Sequence, residues 1–143
     1  MSAVLGLEPG RVKAICESVE AASGKVVSPA NYNEPAQTVI AGDAAAVAQA
    51  GDKLKEAGAK RVLPLPGSAP FPCALMAPAA ERLARDLGEV AVADPRLPVV
   101  RNVDGGVTRT AAEVKPFLLR QVASPVRWTD CVTRLAAEGA TAF

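Results

Sequence analysis

At 143 residues the chain has room for one domain, or for a small domain and part of another. A hydrophobic share of 50% is ample for a core, and an aromatic share of 3% means that Ala, Val and Leu must fill it. Lys and Arg number 16 against 15 Asp and Glu, a net charge of +1 with the basic residues scattered, which excludes the basic stripe of a nucleic-acid binder. The sequence holds no histidine, so Ser-His or Cys-His catalysis cannot be completed within this chain and no histidine-based metal site is possible.

Three widely spaced cysteines, Cys16, Cys73 and Cys131, form neither a disulfide ladder nor a CxxC metal pair, and a reduced cytoplasm is the expected setting. No apolar run approaches the ~20 residues of a membrane span. Met1 to Gly10 lacks a basic segment followed by an apolar one, so no signal peptide is expected there.

The predicted elements begin with a short apolar strand over residues 2–7. Pro9 then suits the first turn of a helix whose apolar face is Val12, Ile15, Cys16 and Val19, at i, i+3, i+4 and i+7, with Ser23-Gly24 as its end. On that face Cys16 reads as core rather than as a reactive thiol. Residues 25–31 are β-rich, 31–36 are a turn cluster, and 37–42 follow as a strand, predicting a hairpin with a wide polar loop. Asp43 is a candidate cap for a helix over 44–57, buried through Val47, Ala48 and Leu54 and weakened by Gly51, with Gly58 as its stop. A last strand spans 60–65. The order β-α-β-β-α-β over residues 2–65 predicts an α+β fold of the ferredoxin-like kind, four antiparallel strands with two helices on one face.

Next comes a run that cannot continue a helix, with three prolines and one glycine between Pro64 and Pro70. Beyond it, Met76, Ala80, Leu83 and Leu87 mark one helix face, ended by Gly88. Residues 97–103 read as a strand and Asp104-Gly105-Gly106 as a turn. Thr110 and Glu113 make a capping-box pair at the start of another helix, in which Pro116 predicts a kink or a late start. Ser124-Pro125 reads as the cap and first turn of a last helix, with Trp128, Cys131, Val132 and Leu135 on its face and Trp128 in the core. About three helices and one clear strand cannot make a sheet, so residues 68–143 are expected to be part of a larger α/β unit.

The run from Pro64 to Met76 resembles the histidine-bearing segment of the malonyl-CoA:acyl-carrier-protein transacylase family, roughly P-L-P-x-S-x-P-[FS]-H-x-x-L-M, with Pro72 at the place of the histidine. Further stretches carry the resemblance: Ala3 to Leu7 resembles the strand that enters the small subdomain, and Gly58 to Arg61 leads into the histidine segment. Asn31 to Gly42 is similar to N-x-N-x-P-G-Q-x-V-I-[AS]-G, with Ala36 in place of the usual glycine. Asn102-Val103-Asp104 resembles a strand end, and Gln121 to Trp128 is similar to Q-[LV]-x-x-P-V-x-W. The resemblance implies a ferredoxin-like subdomain (1–67) followed by a helical remnant of an α/β-hydrolase-like acyltransferase core (68–143), with the active site between them. It further implies ping-pong acyl transfer through a serine in a G-H-S-x-G elbow, a histidine base and an arginine for the malonyl carboxylate. Acyl carrier protein and malonyl-CoA are the implied partners, and no cofactor is expected.

The elbow, the arginine and the histidine have no counterpart in this sequence, so no catalytic residue is expected and the chain alone is expected to be inactive. Cys73, beside Pro72, has no visible base or cation to activate it and reads as a packing residue. Asn31, Asn33 and Gln37 fit either contact with coenzyme A or capping of their own turn. Lys60 and Arg61 fit either a phosphate or an acidic carrier protein, or a solvated strand end, and Phe71 completes the expected substrate-binding set. Two functional readings stand: a fragment or degenerate member of the transacylase family, serving fatty acid or polyketide biosynthesis, and a non-catalytic binding module for acyl carrier protein or coenzyme A.

Overall fold

The structure, a computed structural model, describes residues 1–67 and 69–143. Ser68, where the expected boundary between the two units falls, lies outside the described residues. The front of the chain follows the expected element order: β1 (Ser2–Leu5), α1 (Pro9–Ser23), β2 (Val27–Glu34), β3 (Gln37–Gly42), α2 (Ala44–Glu56) and β4 (Arg61–Pro64). The strands form one antiparallel sheet in the order β2-β3-β1-β4. Strand alternation divides its side chains between two faces. Val4, Val27 and Ile40 pack with Val12, Cys16 and Val19 of α1 and Ala46, Val47, Ala50 and Leu54 of α2. Ala3, Val39 and Ala41 point to the other face.

Local chemistry sets the helix ends. Pro9 opens α1, and Gly24 closes it at φ +65° with its N–H donating to the Glu20 carbonyl. Asp43 Oδ1 caps α2 by accepting from the Ala45 and Ala46 amides at 2.9 and 3.3 Å. Gly51 does more than weaken α2: a Cβ there would stand 3.3 Å from Val62 Cγ1, so the missing side chain lets the helix settle on β4. Ala48, expected on the buried side, is exposed, and Ala46 and Ala50 take that role. The wide polar loop is also corrected. β2 runs through Glu34, and only Pro35 and Ala36 turn the chain into β3. The extra length is absorbed by two bulges, at Ala30 and Asn33, where two residues of β2 oppose one of β3.

After the crossing come a 3-10 turn (Ala74–Met76), α3 (Ala77–Gly88), β5 (Val99–Val100), β6 (Val107–Thr108), α4 (Ala111–Ala123) and α5 (Trp128–Ala137). The expected strand over 97–103 shrinks to β5, which pairs with β6, a strand the sequence reading missed. α4 is continuous through Pro116. Its start is held by Glu113, whose Oε2 accepts from the Arg109 and Thr110 amides at 3.0 and 3.4 Å. Ser124-Pro125 does not begin the last helix. Ser124 ends α4, and α5 starts at Trp128, which is 51% exposed rather than core.

The residues between those helices join the two halves. Val126 donates its N–H to the Ala30 carbonyl at 2.7 Å and accepts from the Tyr32 amide at 2.8 Å, a parallel bridge on the outer edge of β2. Those two groups face away from the ladder because β2 is the edge strand of the sheet. Thr129 Oγ1 donates to the Tyr32 carbonyl at 3.2 Å beside them.

Candidate functional site

The proline-rich crossing lies on the sheet face away from the helices. Pro72 and Cys73 are both buried, and Cys73 packs with Ala3, Ala30, Val39 and Ala41. Phe71, next to them, turns outward and is 49% exposed. It stands at the mouth of a cleft of about 510 Å³ between α3 and α4. Leu83 and Leu87 of α3, Leu118 and Val122 of α4, and Val126 line that cleft, and its polar lining side chains are the amides of Asn102 and Gln121. A second hollow of about 390 Å³ shares Asn102, Leu118 and Gln121 and continues to Val99 and Phe117.

One residue organises the polar side of this region. Arg101 donates from Nε and Nη2 to the Asp104 carboxylate at 3.0 and 3.3 Å, and from Nη1 to the Val107 carbonyl and Thr108 Oγ1 at 3.4 and 3.3 Å. Its guanidinium lies 3.7 Å from the centre of the Phe117 ring, and Glu113 Oε1 is 3.6 Å away. Gly106 makes room for it: a Cβ there would stand 2.0 Å from Arg101 Nη2. Burial works to raise the Asp104 carboxyl. The Arg101 hydrogen bonds, the Gly106 amide and the charges of Arg101 and Arg120 outweigh it and hold the group below its ordinary value. Asn102 is fixed through its backbone, accepting from the Arg127 amide at 2.7 Å. Its side chain is exposed at the cleft.

Of the residues singled out for substrate contact, Phe71 alone lines the cleft. Asn31 and Asn33 lie on β2, at the Val126 bridge and at the second bulge, and Gln37 pairs with Leu5 at the start of β3. Lys60 covers Gly6 with its aliphatic stem and donates its N–H to the Leu5 carbonyl at 2.8 Å. Arg61 pairs with Leu5 on β4 and is exposed. Gln121 was legible only as the first letter of a motif. The stronger signal was an amide at the helical spacing of Leu118 and Val122, polar on an otherwise apolar stripe.

The cleft can hold and orient an apolar or amide-bearing group, and its lining contains no acid or base. The thiols do not supply one. Burial pushes Cys16 up to about 12, aided by Glu17 and Glu20. Burial also raises Cys73 against the Leu75 backbone hydrogen bond, and raises Cys131 together with Asp130 and Asp104. All three are protonated at neutral pH.

No protein-family model matches the chain. It is 49% identical over 139 residues to a malonyl CoA-acyl carrier protein transacylase of Salmonella typhimurium, covering 97% of this chain and 44% of that protein. The transacylase of Bacillus subtilis is 41% identical over 143 residues, 100% of this chain and 45% of the relative. Among solved structures, an acyl carrier protein S-malonyltransferase from Vibrio cholerae superposes with a TM-score of 0.92 at 48% identity, over 97% of this chain and 45% of that one. A malonyl-transacylase in complex with its type II PKS acyl-carrier protein does so with a TM-score of 0.92 at 43% identity, over 97% of this chain and 44% of its own. The chain thus spans under half the length of the relatives it matches.

Proposed function

We propose that this chain, homologous along its whole length to part of the malonyl CoA-acyl carrier protein transacylases, is a partial or degenerate member of that family. On this reading it belongs to malonyl transfer from coenzyme A to acyl carrier protein, in fatty acid or polyketide biosynthesis, and catalyses no transfer by itself. The observation that carries the inactivity is Pro72, together with the lack of a G-H-S-x-G elbow in the sequence. Pro72 stands in the motif where the family has its base, it is buried beside Cys73, and it has no ionisable group. The chain has no histidine, and its three thiols are held protonated, so neither an imidazole nor a thiolate serves an acyl transfer here. The strand order β2-β3-β1-β4 supports reading residues 1–67 as a ferredoxin-like subdomain, with 68–143 as a segment of the acyltransferase core. Asn31, Asn33, Gln37, Lys60, Arg61 and Phe71 are its proposed substrate-side residues, and a cytoplasmic setting goes with it.

The test is transfer of radiolabelled malonyl from coenzyme A to holo acyl carrier protein. We expect no turnover above the buffer blank from the native chain, and none from Pro72→His, because an imidazole without a nucleophile has no proton to take. Turnover by the native chain would refute the reading. Pro72 also favours a second one, a non-catalytic binder of acyl carrier protein or coenzyme A, since loss of length alone would not replace the histidine. Titration of holo acyl carrier protein into the chain at low salt separates the two, because docking through scattered basic residues is screened by salt.

A further inference from the structure

We propose that Asp104-Gly105 is a latent isoaspartyl site, held shut by Arg101 in the folded chain and open to rearrangement once that grip is lost. This chemistry is separate from malonyl transfer. Asp104-Gly105 is the one Asp-Gly pair in the sequence, and no Asn-Gly occurs. A glycine has no side chain to shield its amide nitrogen from the aspartyl Cγ before it. In the reaction the Gly105 nitrogen bonds to Cγ of a neutral Asp104 carboxyl. The amide proton and the carboxyl hydroxyl leave as water, and a succinimide ring closes. Water then adds back at one of the two ring carbonyls. Addition at Cγ restores aspartate. Addition at the main-chain carbonyl breaks its bond to the nitrogen, routes the chain through Cγ and leaves a free α-carboxyl. One water leaves and one returns, and nothing is oxidised or reduced.

The folded turn blocks each part of that ring closure. The Gly105 N–H donates to the Arg101 carbonyl at 2.9 Å. Asp104 Oδ1 accepts from Arg101 Nε at 3.0 Å and from the Gly106 amide at 2.9 Å, and Oδ2 accepts from Arg101 Nη2 at 3.3 Å. Arg101 thus grips the nucleophile through its carbonyl and the electrophile through its guanidinium. Against some burial, the same hydrogen bonds favour the ionised carboxyl, which has no hydroxyl to lose. Gly105 is buried at φ +67°, and a Cβ on it would stand 3.0 Å from Asp130 Cβ, so the turn is wedged against α5. The guanidinium is braced in turn by Thr108, Glu113 and the Phe117 ring. Ring closure therefore needs the turn to open locally, and its rate follows that opening equilibrium. The product, a β-linked backbone with a free α-carboxyl, is the group that an L-isoaspartyl methyltransferase esterifies, so an opened turn makes this chain a substrate for that class of enzyme.

The full chain is aged in near-neutral buffer, folded and in urea. Isoaspartate is read by transfer of tritiated methyl from S-adenosylmethionine, with an L-isoaspartyl methyltransferase as the probe, and placed by electron-transfer mass spectrometry of peptides. We expect the principal label at residue 104, accumulating on the order of tenfold faster in urea than in the folded chain. Asp104→Ser should abolish it. Arg101→Gln should bring the folded rate to within about threefold of the rate in urea, while Arg82→Gln on α3 keeps the native rate. Circular dichroism and amide exchange establish that each variant is folded. If Arg101→Gln is not, the native chain aged in low urea decides. A rate that rises with exchange at Gly105, ahead of exchange in α1 and α2, supports the lock, and one that rises only with global unfolding overturns it. Equal rates in the folded and unfolded native chain, a folded Arg101→Gln no faster than the native chain, or principal label at another residue also overturns the proposal.

Discussion

Thr38 is fully buried on β3, opposite Val4 of β1 and Tyr32 of β2, and its hydroxyl finds no partner among the described residues. A buried hydroxyl with no acceptor carries its desolvation cost uncompensated, so removing it should help. Thr38→Val keeps the shape and the β-branch, and we expect it to raise stability by about 1 kcal/mol, read as a higher urea midpoint at unchanged slope. Gly42 shows the opposite kind of residue constraint. Its φ is +152°, and a Cβ would lie 2.1 Å from the Val26 carbonyl oxygen. The motif ending at Gly42 was visible in the sequence, but its cause was not, because the neighbour that excludes a side chain lies across the hairpin. The same holds for Gly106, whose role depends on a guanidinium brought in by tertiary folding. Cys16 was readable from periodicity because it shares one face of α1 with Val12 and Val19, the face that packs on the sheet and α2.

At the scale of elements, the joint between the halves rests on a few backbone groups. Val126→Pro removes the N–H that reaches Ala30. We expect a loss of about 1–3 kcal/mol, with amide exchange quickened in β2 and α5 before α1 and α2. Uniform quickening through the whole chain would show that the joint is not a local device. Elements with long periodic patterns were legible: α1, α2, α3 and α4 appear where apolar spacing and caps put them. β5, β6 and the true start of α5 were not. A two-residue strand carries no periodicity, and Ser124-Pro125 imitates a helix start while the residue after it is bridged to β2. The tight hairpin was hidden for a related reason: Asn31, Tyr32 and Asn33 read as turn formers but lie in a bulged strand.

For the molecule as a whole, pH dependence follows from groups in both halves. Hydrogen bonds from the Ala46 and Ala45 amides, against some burial, hold Asp43 low, and those from Arg109 and Thr110 do the same for Glu113; Asp104 is held low through Arg101. Folded carboxyls below their unfolded values contribute stability that is present above about pH 4 and lost as pH falls through the folded values. The thiols have the opposite sign. Raised by burial, they favour the folded state below about pH 9 and lose that contribution as pH rises toward the folded values, about 12 for Cys16. The urea midpoint should therefore be level between about pH 5 and 8 and fall on both sides, with three thiols reacting with a disulfide reagent only after unfolding. The cleft itself was only partly legible from sequence. Phe71 lay within a readable motif, whereas the meeting of Asn102 and Gln121 depends on β5, α4 and the Arg101 cluster coming together in space.

The bulged edge of β2 has one more consequence. Where Val126 sits on it, that edge cannot accept a foreign strand, and at the opposite border β4 stops at Pro64, which has no amide hydrogen to offer. Concentrated solutions of this protein are therefore poor seeds for thioflavin-binding fibres. We expect any aggregate to be turbid without thioflavin fluorescence, formed through the exposed apolar side chains, and to ease on chilling as the hydrophobic attraction fades.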